Sequence, residues 1–333
     1  MEPTFVIAGH LRRDYLLPPT GRPLVDVPGG NLLYAAAGLG VWDTNIGLLA
    51  RAGEDYPHRW MESFEERGWD TRGIHILPGP LDQRYFQARI DQQTFQYVNP
   101  ATHFARLNLP FPKSLLGYQP ADTADNRKSV PPASPRPTDI PPDYLNARAV
   151  HLCPLDYLTT SRLSSTFRQA NITFLSLDPS PAYLTSTAFD DIRSLLHGLT
   201  AFLPSEEELR LIFWGRTDDP WEMAEALGGF GCELIVIKRG GRGQMLYETA
   251  SRKRWEIPAY PARVDDLTGA GDSYCGGFLA GYLKSFDPVQ AALFGSISAS
   301  LTIEGSGAFH ALEGLPGLAQ RRLDSLAGNV RQV

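Results

Sequence analysis

Short runs of β-branched and apolar residues recur along the chain at 4–8, 44–49, 149–152, 172–177, 199–203 and 234–238. Runs of this length and composition predict buried strands. Between them, residues 32–41, 57–67, 160–169, 205–213 and 221–227 place apolar side chains three or four apart, the repeat of a helix with one buried face. Strands alternating with helices predict an α/β fold: a mainly parallel, doubly wound sheet flanked by helices on both faces.

Two segments break the alternation. Residues 83–90 and 94–98 are strand-like runs around Asp91-Gln92-Gln93 with no helix between them. They predict a hairpin outside the main sheet, part of a discontinuous β lid at about 15–29 and 83–104. An insertion at about 105–143 follows, with nine prolines between Pro110 and Pro142, a composition that propagates neither helix nor central strand. It reads as an ordered wrap or a mobile insertion. With this lid and insertion, the whole chain, 1–333, is expected to be one domain.

Composition narrows the class. At 333 residues, 43% of them hydrophobic, the chain can bury a large core without disulfides or a structural metal. Cys153, Cys232 and Cys275 lack metal-ligand or C-x-x-C spacing and read as reduced thiols of a cytoplasmic protein. Seven scattered histidines show no ligand spacing either. Neither a secretory leader nor a membrane span is expected, because no basic segment precedes a long apolar run. A net charge of −6 gives no reason to expect nucleic-acid binding.

The densest chemistry lies at Asp266-Leu267-Thr268-Gly269-Ala270-Gly271-Asp272, a glycine-rich turn running into a helix rich in small residues. First-turn amides have no acceptor within their own helix, and the helix dipole favours negative charge, so such a turn can hold a phosphate. Asp272 can then accept the proton of an attacking hydroxyl. By itself the segment is equally a turn with an N-capping Asp, and its small residues equally a close-packing surface.

This stretch resembles the C-terminal motif of the ribokinase (PfkB) family of carbohydrate kinases, with Leu267 in place of a Thr. The resemblance continues through Gly9 to Asp14, Pro28-Gly29-Gly30, and Asn45 to Asp55. It implies an ATP-dependent kinase with Asp272 as catalytic base and Gly269, Ala270 and Gly271 as anion hole. Asp14, Gly29 and Gly30 fall on the substrate side. Ser205-Glu206-Glu207-Glu208 resembles the family's Asn-x-x-Glu motif, with Ser205 replacing Asn and Glu208 organising Mg2+ through water. Lys238, Gly240 and Gly243 fall at the turn beside the nucleotide, and the loop containing Gly307 at the far wall of the adenine pocket. Asp266 and Thr268 fall where some members hold a monovalent cation such as K+. A homodimer through the lid is a further family expectation.

Tyr34 stands where many sugar kinases of the family have Asn, which leaves the acceptor open among sugars, inositols and nucleosides. Arg12 and Arg13 suggest an anionic group on it. A non-catalytic binding homologue is the rival reading. The G-x-G-x-x-G fingerprint fails at Tyr274, and no G-x-x-x-x-G-K-[ST] occurs.

Overall fold

The computed structural model describes residues 2–19, 22–90, 94–121, 124–125, 127–170, 172–185 and 189–333. Its strands are β1 (Phe5–Ala8), β2 (Arg12–Leu17), β3 (Leu24–Gly29), β4 (Ile46–Gly53), β5 (Asp70–Leu77), β6 (Arg84–Arg89) and β7 (Phe95–Gln96). They continue as β8 (Ala149–Leu152), β9 (Phe174–Leu177), β10 (Ala201–Phe202), β11 (Leu234–Lys238), β12 (Gln244–Glu248), β13 (Lys253–Ile257) and β14 (Arg331–Gln332). Ten of them form the main sheet in the order β14-β13-β12-β11-β10-β9-β8-β1-β4-β5. Neighbours from β11 to β5 run parallel, and β12 to β14 add an antiparallel flank. The fold is a doubly wound α/β sheet, as the alternation of strands and helices implies.

The six predicted strands of the main sheet are all present. The apolar pattern does not predict the other four, β5, β12, β13 and β14, and β5 shows why. It lies at the sheet edge, where Arg72, His75 and Ile76 face solvent, so it lacks the apolar run of a strand covered on both sides.

Each face of the sheet carries its own core. The helices Asn31–Gly40, Ala270–Ser285 and Pro288–Thr302 cover one, with Leu33, Phe278 and Ile297 fully buried. On the other, Tyr157–Arg168, Phe189–Leu196, Glu206–Ile212 and Pro220–Gly228 bury Leu163, Phe202 and Leu209. Small residues let the first group pack closely: a Cβ on Gly276 would sit 1.9 Å from the Ala35 carbonyl oxygen. That contact fixes the helix that begins at Ala270 against the one that follows Gly30.

The remaining strands form a separate sheet, β3-β2-β6-β7, with β6 and β7 antiparallel. Their expected turn, Asp91-Gln92-Gln93, lies outside the described residues. One face of this sheet has a small core in which Tyr15, Leu17, Phe86 and Ala88 meet Phe104, Leu115 and Tyr118. Leu115 and Tyr118 come from the Pro-rich segment, and the Tyr118 hydroxyl accepts the Phe86 N–H at 3.2 Å. Further along that segment Ser134 is fully buried beside His10 at 3.2 Å, and Asp139 forms a buried ion pair with Arg51 at 2.6 Å. These residues wrap the body of the protein.

Candidate active site

Strand β2 leaves the end of β1 and carries Asp14 opposite Val27 of β3. Asp14 is 2% exposed, and its Oδ1 has no hydrogen-bond partner. Burial pushes its pKa up to about 7 against the opposing pull of the Arg12 guanidinium and the Gly30 amide. The carboxylate fits because residue 29 is glycine: a Cβ there would lie 1.9 Å from Asp14 Oδ2. Asn31, unremarked in the sequence, sets the approach. Its Oδ1 accepts the His10 N–H at 2.7 Å and its Nδ2 donates to the Pro154 carbonyl at 2.8 Å.

The glycine-rich turn borders the same cleft as Asp14. Gly269 adopts φ 74°, and a Cβ there would fall 1.9 Å from the Tyr34 ring, so only glycine satisfies both the backbone and the packing. Tyr34 therefore lies against the turn, with its hydroxyl buried and unpartnered. The Ala270 N–H donates to the Leu267 carbonyl at 3.2 Å and so closes the turn at the start of the helix. Gly271 and Asp272 hold the first-turn amides that come too early to bond within the helix. Burial raises the Asp272 pKa to about 7, with Lys238 and Arg12 pulling the other way. Its side chain keeps partial access to the cleft.

Arg12, Asp14, Gly30, Tyr34, Thr268, Gly269 and Asp272 border one cleft of about 240 Å³. Tyr85, Gln87 and Phe95 of the small sheet, and Tyr97 just past β7, line it as well. Arg12 lies over the Tyr85 ring at 4.6 Å. Arg13 does not join it: it pairs with Asp26 at 2.7 Å and lies 4.0 Å from Asp55. Successive strand residues point to opposite faces, so the face carrying Arg12 and Asp14 excludes Arg13. A larger cavity of about 540 Å³, at Arg193, His197 and Phe230, contains none of the motif residues.

Lys238 ends β11 and pairs at 2.5 Å with Asp178, just past the end of β9. Burial favours the neutral amine, but Asp178 outweighs it and keeps Lys238 charged. The Lys238 ammonium would lie 3.5 Å from a Cβ on Gly271, which places it over the first turn of the Asp272 helix. Asp178 escaped the sequence reading, although the carboxyl ends of parallel strands are where such folds bind ligands.

Ser205 and Glu208 form a reciprocal cap. The Ser205 N–H donates to Glu208 Oε2 at 2.6 Å and the Glu208 N–H to Ser205 Oγ at 3.2 Å. One Glu208 oxygen thus remains for a water-bridged ion, and oxygen donors suit Mg2+. Gly240 and Gly243 lie in the tight connection between β11 and β12, where a Cβ on Gly243 would meet the Ile257 carbonyl at 2.1 Å. Gly307, with φ 94°, lies near Leu24 of β3. None of these three glycines borders the 240 Å³ cleft.

Asp266 is 2% exposed, and its Oδ1 accepts from the Thr268 N–H at 3.0 Å and the Thr268 hydroxyl at 2.7 Å. Two residues of β6 reach this point. Gln87 Nε2 donates to Thr268 Oγ1 at 2.9 Å, and the Arg89 guanidinium lies 3.9 Å from Asp266 Oδ1.

Comparison with known proteins identifies the family and the fold. The profile of the pfkB family carbohydrate kinases matches residues 142–313, just over half of the 333-residue chain. A cytidine kinase from Thermococcus kodakarensis is 27% identical over 281 residues, covering 84% of this chain and 88% of its own. A 5-dehydro-2-deoxygluconokinase from Geobacillus kaustophilus is 26% identical over 341 residues, covering 95% and 91%. Among solved structures, the E. coli protein described as Ribokinase II, in complex with ATP and Mg2+, superposes with a TM-score of 0.71 at 16% identity, covering 98% of this chain and 100% of its own. Burkholderia thailandensis nucleoside kinase in complex with inosine gives 0.68 at 17% identity, covering 97% and 99%. Likeness at such identity establishes the fold. With the profile match added, the chain belongs to the pfkB family of carbohydrate kinases.

Proposed function

We propose that this kinase transfers the γ-phosphoryl group of ATP to a hydroxyl of a small polyhydroxylated acceptor, with Asp272 as general base. The carrying observation is that Asp14 and Asp272 border one cleft together with Arg12 and with Thr268 and Gly269 of the glycine-rich turn. A base whose pKa is about 7 accepts a proton at neutral pH without binding it too tightly to release it. Asp272 takes the acceptor's hydroxyl proton as that oxygen attacks, while Lys238 and the amides of Gly271 and Asp272 face the charge on the transferring group. Mg2+, bound with ATP, supplies further neutralisation of the phosphate oxygens.

On the acceptor side, the unpartnered Asp14 Oδ1 accepts from a substrate hydroxyl and the buried Tyr34 phenol donates to one. Aromatic rings at Tyr34, Tyr85, Phe95 and Tyr97 offer stacking faces. They favour a cyclic acceptor, and a nucleoside is the second reading, supported by these rings and by the cytidine kinase among the relatives. The small sheet covers the cleft and keeps water from the phosphoryl group.

The test is ADP formation from ATP with a panel of sugars, inositols and nucleosides, repeated with Asp272→Asn. Turnover with at least one acceptor is expected, reduced by about 10²-fold or more in the variant while ATP affinity is retained. Near-normal turnover by Asp272→Asn would remove the base assignment.

A further inference from the structure

The monovalent cation expected at Asp266 and Thr268 does not fit the residues found there. A resident K+ would share this buried carboxylate with a fixed guanidinium, because the Arg89 and Asp266 side chains are 1% and 3% exposed and 3.9 Å apart. Two cations on one buried carboxylate repel each other at short range and low dielectric. Arg89 is held from behind as well, with its guanidinium 5.0 Å from the centre of the Phe95 ring on β7.

Alternation along β6 explains how Arg89 arrives. Phe86 and Ala88 face the small core, which leaves Tyr85, Gln87 and Arg89 on the opposite face. Tyr85 lies beneath Arg12, Gln87 donates to Thr268, and Arg89 reaches Asp266. Asp266 stands three residues before Gly269, and its backbone N–H is tied to the Ile303 carbonyl at 3.2 Å. Whatever neutralises Asp266 therefore also holds the start of the phosphate-binding turn.

We propose that Arg89 is a positioning residue that supplies, from the small sheet, the positive charge a monovalent cation would otherwise provide at Asp266, so that the enzyme works without K+. This rests on the kinase reading above for its activity arm only.

The experiment uses the full chain, with KCl exchanged for tetramethylammonium chloride at constant ionic strength. In the wild type, ADP formation with a working acceptor is expected to agree within about twofold between the two salts, and the thermal midpoint to be unchanged. Arg89→Ala is expected to lower the midpoint by several degrees and to gain a K+ response in both measurements. A K+ response in the wild type, a variant that melts like the wild type, or a variant indifferent to K+ overturns the proposal. If Arg89→Ala does not fold, the wild-type salt exchange and Arg89→Lys, which keeps a cation, decide it. Should no acceptor be phosphorylated, the kinase reading fails, while the melting comparison still answers for Arg89.

Discussion

Replacing Gly29 by alanine tests the acceptor side with a single methyl group. That methyl would lie 1.9 Å from Asp14 Oδ2, 2.1 Å from its Cγ and 2.6 Å from its Oδ1. Ordinary contact begins at 3.4 Å, so carboxylate and backbone must separate by more than about 1 Å. Asp14 is 2% exposed and paired in register between β3 and β6, so it cannot swing into solvent. A misplacement of about 1 Å at a substrate-positioning group costs on the order of 10²-fold in rate, or about 2.7 kcal/mol of transition-state binding. Overpacking of this kind destabilises a fold by about 1–3 kcal/mol, so assays belong well below the variant's melting midpoint. Steady-state kinetics should show kcat/KM for the acceptor reduced about 100-fold with KM for ATP nearly unchanged. An acceptor kcat/KM within about threefold of wild type would refute the placement of Asp14 against the acceptor.

Other expectations follow from the same geometry. Asp272 must be ionised to act, and its pKa is raised to about 7, so kcat/KM should fall as pH drops below about 7 and level off above it. Lys238 pulls that pKa down, so Lys238→Met should move the acid limb to higher pH as well as lower kcat; a limb that stays in place would separate Lys238 from Asp272. Arg51→Ala leaves the buried Asp139 carboxylate of the Pro-rich wrap without its guanidinium, and denaturant unfolding should show a loss of about 3 kcal/mol. Arg13→Ala should leave acceptor preference unchanged, because Arg13 faces Asp26 rather than the cleft; a changed preference across the acceptor panel would contradict this.

Much of the fold is legible in the chain itself. Buried parallel strands are short apolar runs, and a glycine-rich turn before a helix is a local pattern, so β8, β11 and the Gly269-to-Asp272 turn need no tertiary information. Asp14, Gly29 and Gly30 were legible through family resemblance, and the cleft gathers Asp14 and Gly30 with Asp272, while Gly29 leaves room for the Asp14 carboxylate.

Three-dimensional packing decided the rest, because partners were far apart in sequence or because local alternatives were equal in energy. Nothing near Arg12 and Arg13 says which one faces the cleft; the pairing of β2 with β3 does, by giving Arg13 to Asp26. Asp178 lies 60 residues from Lys238, and Gln87 lies 181 residues from Thr268. A sequence motif records side chains placed by their own backbone turn. The wall that β6 lends to the site depends on how one sheet docks over another, and only the folded chain fixes that.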